Sequence, residues 1–206
     1  MKKSSPKKLR YILFNKPYGV LCQFTDKEGT KTLADYRPFP NDVYPAGRLD
    51  ADSEGLVLLT NDGLLKHFLI EPRYQHPRTY LVQVEHRPTE EVLNRLRAGV
   101  MVERRKTLPT EVLLLDQEPN LLPRPVPIRF RKTVPTAWMK ITLREGRNRQ
   151  VRKMTAAVGH PTLRLVRIVI GTLTIGNLQP GESQELSRKE VEQFKRSVQK
   201  KVTHRL

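Results

Sequence analysis

The sequence predicts an α+β fold: a mixed, mainly antiparallel β-sheet with flanking helices. Three observations carry that expectation. Apolar segments of strand length outnumber helical ones along the 206 residues. Most connections between them are short, and only a few are long enough for a parallel crossover. Hydrophobic residues make up 37% and charged residues 29%, which describes a folded chain with a wide wet surface rather than a disordered one.

The elements follow from local chemistry. Residues 10–14 and 20–24 read as strands joined by a turn at Lys16-Pro17-Tyr18-Gly19. Residues 56–60 form a fully apolar strand, and Asn61-Asp62-Gly63 opens a helix that ends before Pro72. Residues 79–85 alternate as a half-buried strand. Thr89 is a helix N-cap with Glu90 and Glu91 in the first turn, and Gly99 ends that helix. Residues 112–115 and 138–143 are further strands. Between them Pro119, Pro123, Pro125, Pro127 and Pro135 forbid a central strand or helix, leaving an extended basic loop. Residues 148–158 read as a helix stopped by Gly159 and Pro161, and residues 163–170 as a strand. Ser187-Arg-Lys-Glu190 is a capping box opening a last, basic helix. The expected organisation is a basic tail over 1–9, a domain over 10–186 divisible into two subdomains with a cleft between them, and a basic helix or tail over 187–206.

Charge narrows the class of partner. Lys and Arg number 38 against 21 Asp and Glu, a formal net charge of +17. The excess is blocked: +5 over residues 1–10, −2 over 11–123, +5 over 124–140, +6 over 144–167, −2 over 168–186 and +5 over 187–206. Single-sign blocks point to a phosphate-binding face, with solvated tails as the alternative at the termini. One cysteine, Cys22, excludes an intrachain disulfide and fits a reducing compartment. The longest apolar run is a handful of residues, and the basic start is not followed by an apolar signal core. A cytoplasmic protein with a polyanionic partner is expected.

Several chemistries lack support. The five histidines have no zinc-like spacing. Asp50-Ala-Asp52-Ser-Glu54-Gly55 matches the opening of a calcium loop, yet the twelfth position is Asn61 where a bidentate Glu is needed. No glycine-rich phosphate loop and no nucleophile elbow is present. What remains is the turn Gly47-Arg48-Leu49-Asp50, placed before an apolar strand, and the cation-rich stretch 145–154 with Arg147, Arg149, Gln150, Arg152 and Lys153. Brought face to face, they would put a carboxylate beside partly buried arginine, an environment that suits a nucleophile or base. An ordinary surface turn and a solvated helix face are the plainer alternatives.

These residues carry a resemblance. Residues 47–63, Gly-Arg-Leu-Asp-Ala-Asp-Ser-Glu-Gly-Leu-Val-Leu-Leu-Thr-Asn-Asp-Gly, resemble the active-site motif of the RsuA-type ribosomal RNA pseudouridine synthases. Asn15-Lys16-Pro-Tyr-Gly-Val20, Arg78-Thr-Tyr80 and residues 145–154 match further motifs of that family in order, so the similarity spans roughly residues 9–181. The family's usual N-terminal S4 RNA-binding module is expected to be missing, because the motif begins within fifty residues. Ser53 stands where the family often has Thr.

The resemblance implies the pseudouridine synthase fold and site-specific isomerisation of uridine to pseudouridine in large-subunit (23S) ribosomal RNA. It implies Asp50 as the nucleophile, Tyr80 as the aromatic residue packing on the target base, and Arg152 as the cation paired with the aspartate. Arg48 would hold the flipped-out nucleotide, with Lys16, Arg147, Arg149, Gln150 and Lys153 contacting RNA. Isomerisation breaks a C–N bond, turns the base and forms a C–C bond, so no cofactor and no metal is expected. One carboxylate suffices where a glycosidase, which admits water, needs two. The target must leave its stack for a pocket whose aromatic face replaces the lost stacking. A monomer is expected. The competing reading is a non-catalytic ribosomal RNA-binding or ribosome-assembly protein, for which the charge blocks alone would be enough.

Overall fold

The computed structural model describes residues 8–128 and 134–203. The elements run β1 (Tyr11–Lys16), β2 (Tyr44–Pro45), β3 (Glu54–Thr60), α1 (Gly63–Ile70), β4 (Arg78–Glu85), α2 (Glu90–Ala98), β5 (Met101–Val102) and β6 (Arg105–Lys106). They continue as β7 (Glu111–Leu114), β8 (Thr136–Leu143), α3 (Gln150–Ala157), β9 (Thr162–Ile170), β10 (Leu173–Thr174), β11 (Ser183–Glu185) and α4 (Arg188–Thr203). The main sheet has the order β11-β1-β3-β9-β4-β8-β7, with β2 beside β3 and β10 beside β9, while β5 and β6 pair separately. Among the described strands every pairing is antiparallel except β3 with β9. The α+β expectation of a mixed, mainly antiparallel sheet therefore holds.

Side-chain alternation explains how the sheet is buried on both faces. From β1 and β3, Tyr11, Leu13, Leu56 and Leu58 enter one core, closed by Leu65 and Leu69 of α1 and by Phe194 and Val198 of α4. Their sequence neighbours Ile12, Phe14, Val57 and Leu59 enter the other core, with Tyr80, Val82 and Val84 of β4 and Met154 of α3. Strands covered on both sides must be apolar throughout, which is why residues 56–59 show no polar interruption. Helices α1, α2 and α4 begin where expected: Asp62 accepts from the Leu65 amide, Thr89 from the Val92 amide, and Ser187 and Glu190 form the reciprocal box.

The C-terminal helix is a docked element rather than a solvated tail. Phe194 and Val198 are both 1% exposed. Lys195 bonds Asp62 at 2.9 Å and lies 5.1 Å from the Tyr11 ring centroid, while the Tyr11 hydroxyl donates to the same carboxylate. No described helix is long and apolar enough to cross a membrane.

Two sequence expectations need correction, and a third falls partly outside the described residues. Residues 20–24 are not a ladder strand; only Leu21 and Thr32 form an isolated bridge. Val20 and Cys22 do alternate into the core, but the Lys16 ammonium takes the Val20 carbonyl at 2.7 Å, so that acceptor is engaged by a side chain. The helix read over 148–158 starts at Gln150, because Arg149 has left-handed backbone with φ 51°. The extended proline-rich loop is described only up to residue 128 and from 134, and residues 129–133 of its basic block lie outside the described residues.

The parallel contact between β3 and β9 is short, with Glu54 opposite Val166 and Gly55 opposite Arg167. It requires glycine: Gly55 has φ +105°, and an added Cβ would lie 2.3 Å from the Arg167 carbonyl oxygen and 2.7 Å from its nitrogen. Backbone cannot yield as a flexible side chain can. Gly55→Ala is expected to cost at least about 2 kcal/mol from strain and overpacking, a drop of roughly 5 °C or more in Tm. Thermal denaturation checks it, and an unchanged Tm would show that the two strands separate at little cost.

Candidate active site

The turn before β3 carries Asp50, and its backbone is held from several directions. The Ser53 amide donates to the Asp50 carbonyl at 3.1 Å, closing the turn. Arg167 of β9 donates to the carbonyls of Leu56 (2.8 Å) and Arg48 (3.4 Å). Arg152 of α3 donates to the Asp52 carbonyl at 2.6 Å. The Ala51 carbonyl accepts from the Gly19 amide at 2.8 Å and from the Lys16 ammonium at 3.5 Å. Behind the turn Glu54 and Arg164 form a bidentate pair at 2.8 and 2.9 Å, both nearly free of solvent contact. Loss of either partner would strand a buried charge, at a cost of about 3–5 kcal/mol.

A cavity of about 360 Å³ opens over this turn, lined by Arg48, Asp50 and Ser53 on one side and by Arg147, Arg149 and Gln150 on the other. Tyr80 of β4 and Arg78 and Arg167 form part of its floor. The structure thus brings the turn, the β4 tyrosine and the cation-rich stretch face to face across the sheet. Their cross-strand register explains it, since Tyr80 stands opposite Arg167 on β9.

The ion pairs divide unequally between the two aspartates. Arg149 grips Asp52 with both nitrogens, at 3.0 and 2.6 Å. Its distance to Asp50 Oδ2 is 3.6 Å, too long for a hydrogen bond. Arg152 lies 3.4 Å from Asp52, so the expected pairing of Arg152 with Asp50 is corrected: its carboxylate partner is Asp52. Burial opposes ionisation of Asp52, but hydrogen bonds from Arg149 and the charges of Arg152 and Arg149 outweigh it and hold the carboxyl below its ordinary range. Asp50 keeps a side chain 40% exposed, facing the cleft beside a cation that does not tie up its lone pairs. Left-handed backbone at a non-glycine residue such as Arg149 costs on the order of 1 kcal/mol or more and tends to mark functional sites.

Other expected site residues sort by exposure. Arg48 is exposed at the cleft mouth. Arg147 lines the cleft while donating to the Arg105 carbonyl at 3.3 Å. Lys153 points away, to Glu103 at 2.6 Å, on the rim near β5 and β6. Gln150, expected to touch RNA, is 4% exposed; it accepts from the Arg147 amide and donates to Glu145. Lys16, also expected there, is 0% exposed and donates to the carbonyls of Pro17 and Val20 at 2.9 and 2.7 Å. Both brace the interior, their polar atoms spent on backbone and buried acids, while Gln150 also lines the cleft. Arg164 and Arg167 were missed as site supports, although two arginines within the apolar run 162–170 signal buried cations. Among the described residues no group of three or more His, Cys, Asp or Glu is gathered for a metal. The carboxylates of the calcium-like loop face arginines instead.

Burial pushes the Lys16 ammonium down to about 8. Between pH 8 and about 10.5 the unfolded chain therefore holds a proton that the folded one has lost, and folding gains stability as pH rises through that window. Relative to Lys16→Met, which cannot titrate there, the wild type is expected to gain stability from pH 8 to 10 and to show a constant difference between pH 5.5 and 7.5. Urea denaturation across that range checks it, and a constant difference throughout would contradict the burial.

Comparison with known proteins bears on this geometry. Residues 10–157 match the family model described as RNA pseudouridylate synthase. Ribosomal large subunit pseudouridine synthase E of Vibrio vulnificus (strain CMCP6) is 56% identical over 178 residues, covering 86% of this chain and 75% of that protein. The protein of the same name in Xanthomonas axonopodis pv. citri (strain 306) is 55% identical over 171 residues, covering 82% and 90%. A solved structure described as a crystal structure of pseudouridylate synthase superposes with TM-score 0.76 at 29% identity, covering 92% of this chain and 75% of that one. With a match of this extent and the RsuA-type motifs gathered around one cleft, the chain belongs to the RNA pseudouridylate synthase family, enzymes that isomerise uridine in RNA to pseudouridine.

Proposed function

We propose that the substrate is large-subunit ribosomal RNA and that Asp50 is the nucleophile acting on a uridine extruded into the cleft. The observation that carries this reading is the meeting of Asp50, Tyr80 and Arg48 in one cavity over a braced turn. The named relatives from Vibrio and Xanthomonas support the choice of RNA.

In the reaction Asp50 initiates cleavage of the C1′–N1 bond. The uracil turns while still enclosed, C1′ bonds to C5, the C5 proton is lost and N1 ends protonated. Product and substrate have the same atoms, so the chemistry needs no donor and no electron acceptor. Tyr80, 9% exposed on the cavity floor, packs on the base in place of its lost neighbours and assists removal of the C5 proton. Arg48 at the mouth occupies the gap left in the RNA stack. Arg149 and Arg147 neutralise phosphates at the rim, and Lys153 extends that surface outward. Arg152 acts through Asp52, holding the turn. Lys16 braces the wall from within, and Gln150 braces it while lining the cleft. Residues 10–186 work as one catalytic domain whose sheet halves flank the cleft, and one chain supplies every residue named, so a monomer in the cytoplasm is sufficient. The basic blocks over 124–140 and 144–167 attract the RNA backbone.

Asp50→Asn is expected to abolish pseudouridine formation, read as tritium release from [5-³H]uridine-labelled ribosomal RNA transcript. Its RNA affinity should stay within roughly threefold of wild type, because phosphate contacts dominate binding. Normal turnover by the variant would remove Asp50 from the mechanism. Arg149→Ala should weaken RNA binding and lower the slope of log K against log salt by about 1, one phosphate contact. An unchanged slope would place Arg149 off the RNA path.

A further inference from the structure

A second, larger cavity of about 940 Å³ adjoins the cleft and shares Gly47, Arg48 and Ile70 with it. Its walls come from the two segments around residues 22–25 and 37–45 and from α1. Pro38 and Pro40 keep the second segment out of the ladder until β2, where Tyr44 and Pro45 pair with β3. Phe39 anchors it, edge-on to Phe14 at 5.5 Å and to Phe24 at 5.9 Å between centroids.

The lining has a distinctive chemistry. Tyr44 is 55% exposed and Ile70 40% exposed, so aromatic and aliphatic surface is left open to solvent. Lys66 lies 5.9 Å from the Tyr44 ring centroid, and Arg37 lies 5.7 Å from that of Phe39. No Asp or Glu lines the cavity, whereas Arg37, Arg48 and Lys66 all do. An exposed tyrosine ring with an ammonium over it, in a lining that carries cations and no acid among the described residues, suits a nucleobase carrying its phosphate. The cavity also begins at Arg48, two residues from Asp50, so a strand delivering its nucleotide to the cleft runs on past this opening.

We propose that this groove binds an unpaired base of the same RNA, next to the target nucleotide, stacked on Tyr44 with its phosphate between Lys66 and Arg37. The inference rests on the reading of the Asp50 cleft as the uridine site. It makes the groove a determinant of site choice: a target uridine whose neighbour is free to leave its stack is favoured over one whose neighbour is paired.

Two measurements on the full chain test it. Tyr44→Ala should raise KM for ribosomal RNA transcript about tenfold, the loss of one base stack, with the defect in KM rather than kcat, and Tyr44→Phe should restore it. Fluorescence anisotropy with a labelled single-stranded oligouridylate should show a similar loss of affinity in Tyr44→Ala and a smaller one in Lys66→Ala. If wild type fails to isomerise the transcript while oligouridylate binding still depends on Tyr44, the ribosomal reading falls and the groove stands. If wild type turns over and neither KM nor oligouridylate affinity responds to Tyr44→Ala, the groove proposal is overturned, which is the result expected of a protein-binding hollow.

Discussion

A cation withdrawn from water needs acceptors, and around the Asp50 turn the backbone supplies most of them, with Arg152 Nε and Arg167 Nη2 left without a hydrogen bond among the described residues. Arg167, Arg152 and Lys16 are buried or largely buried, and the acceptors they find are the carbonyls of Arg48, Leu56, Asp52 and Ala51. Those four carbonyls bracket Asp50 in sequence. The turn is therefore held by side chains arriving from β1, β9 and α3, elements far apart in the chain. Unlike a surface turn held by its own local bonds, it cannot move without leaving a buried charge unpaired, and such charges are costly in a low-dielectric interior.

The same accounting shapes the carboxylates. Asp52 absorbs both nitrogens of Arg149 and the approach of Arg152, and Glu54 absorbs Arg164. Asp50 is left with one guanidinium beyond hydrogen-bond distance and with exposure to the cleft. Three acids within five residues thus have three different tasks, set by which arginine each one meets. The short parallel contact at Gly55 matters for this, because it brings β9 and its arginines against the start of β3. A side chain there would hold the strands apart and lift Arg167 away from the turn.

Much of the architecture was legible from alternation and caps. The apolar run at 56–60, the alternating 79–85 segment, the Thr89 cap and the Ser187 box each became the element they predict, because local pattern and tertiary burial agree there. Residues 20–24 failed for a side-chain reason: a buried lysine four residues upstream of Val20 takes its carbonyl, which no propensity records. The short strands β2, β10 and β11 carry too few residues to show a period. Asp50 and Tyr80 stand out through the motif and meet in one cleft, whereas the burial of Lys16 and Gln150 does not show in the sequence. A polar residue in a motif looks the same whether it touches substrate or braces the residue that does.

The family, the polyanionic partner implied by blocked positive charge and the alternation that buries both faces of the sheet are all legible along the chain. These are properties of residue identity and order. Which arginine meets which aspartate is a matter of folding, since residues 48–54 and 147–167 are brought together across roughly a hundred positions of chain, with one parallel contact between β3 and β9. The fold also leaves Tyr44, unremarkable in the sequence, exposed beside the Asp50 turn. Charge sign and spacing are local quantities, whereas the distance between two charges across a sheet is set by the register of the strands that carry them.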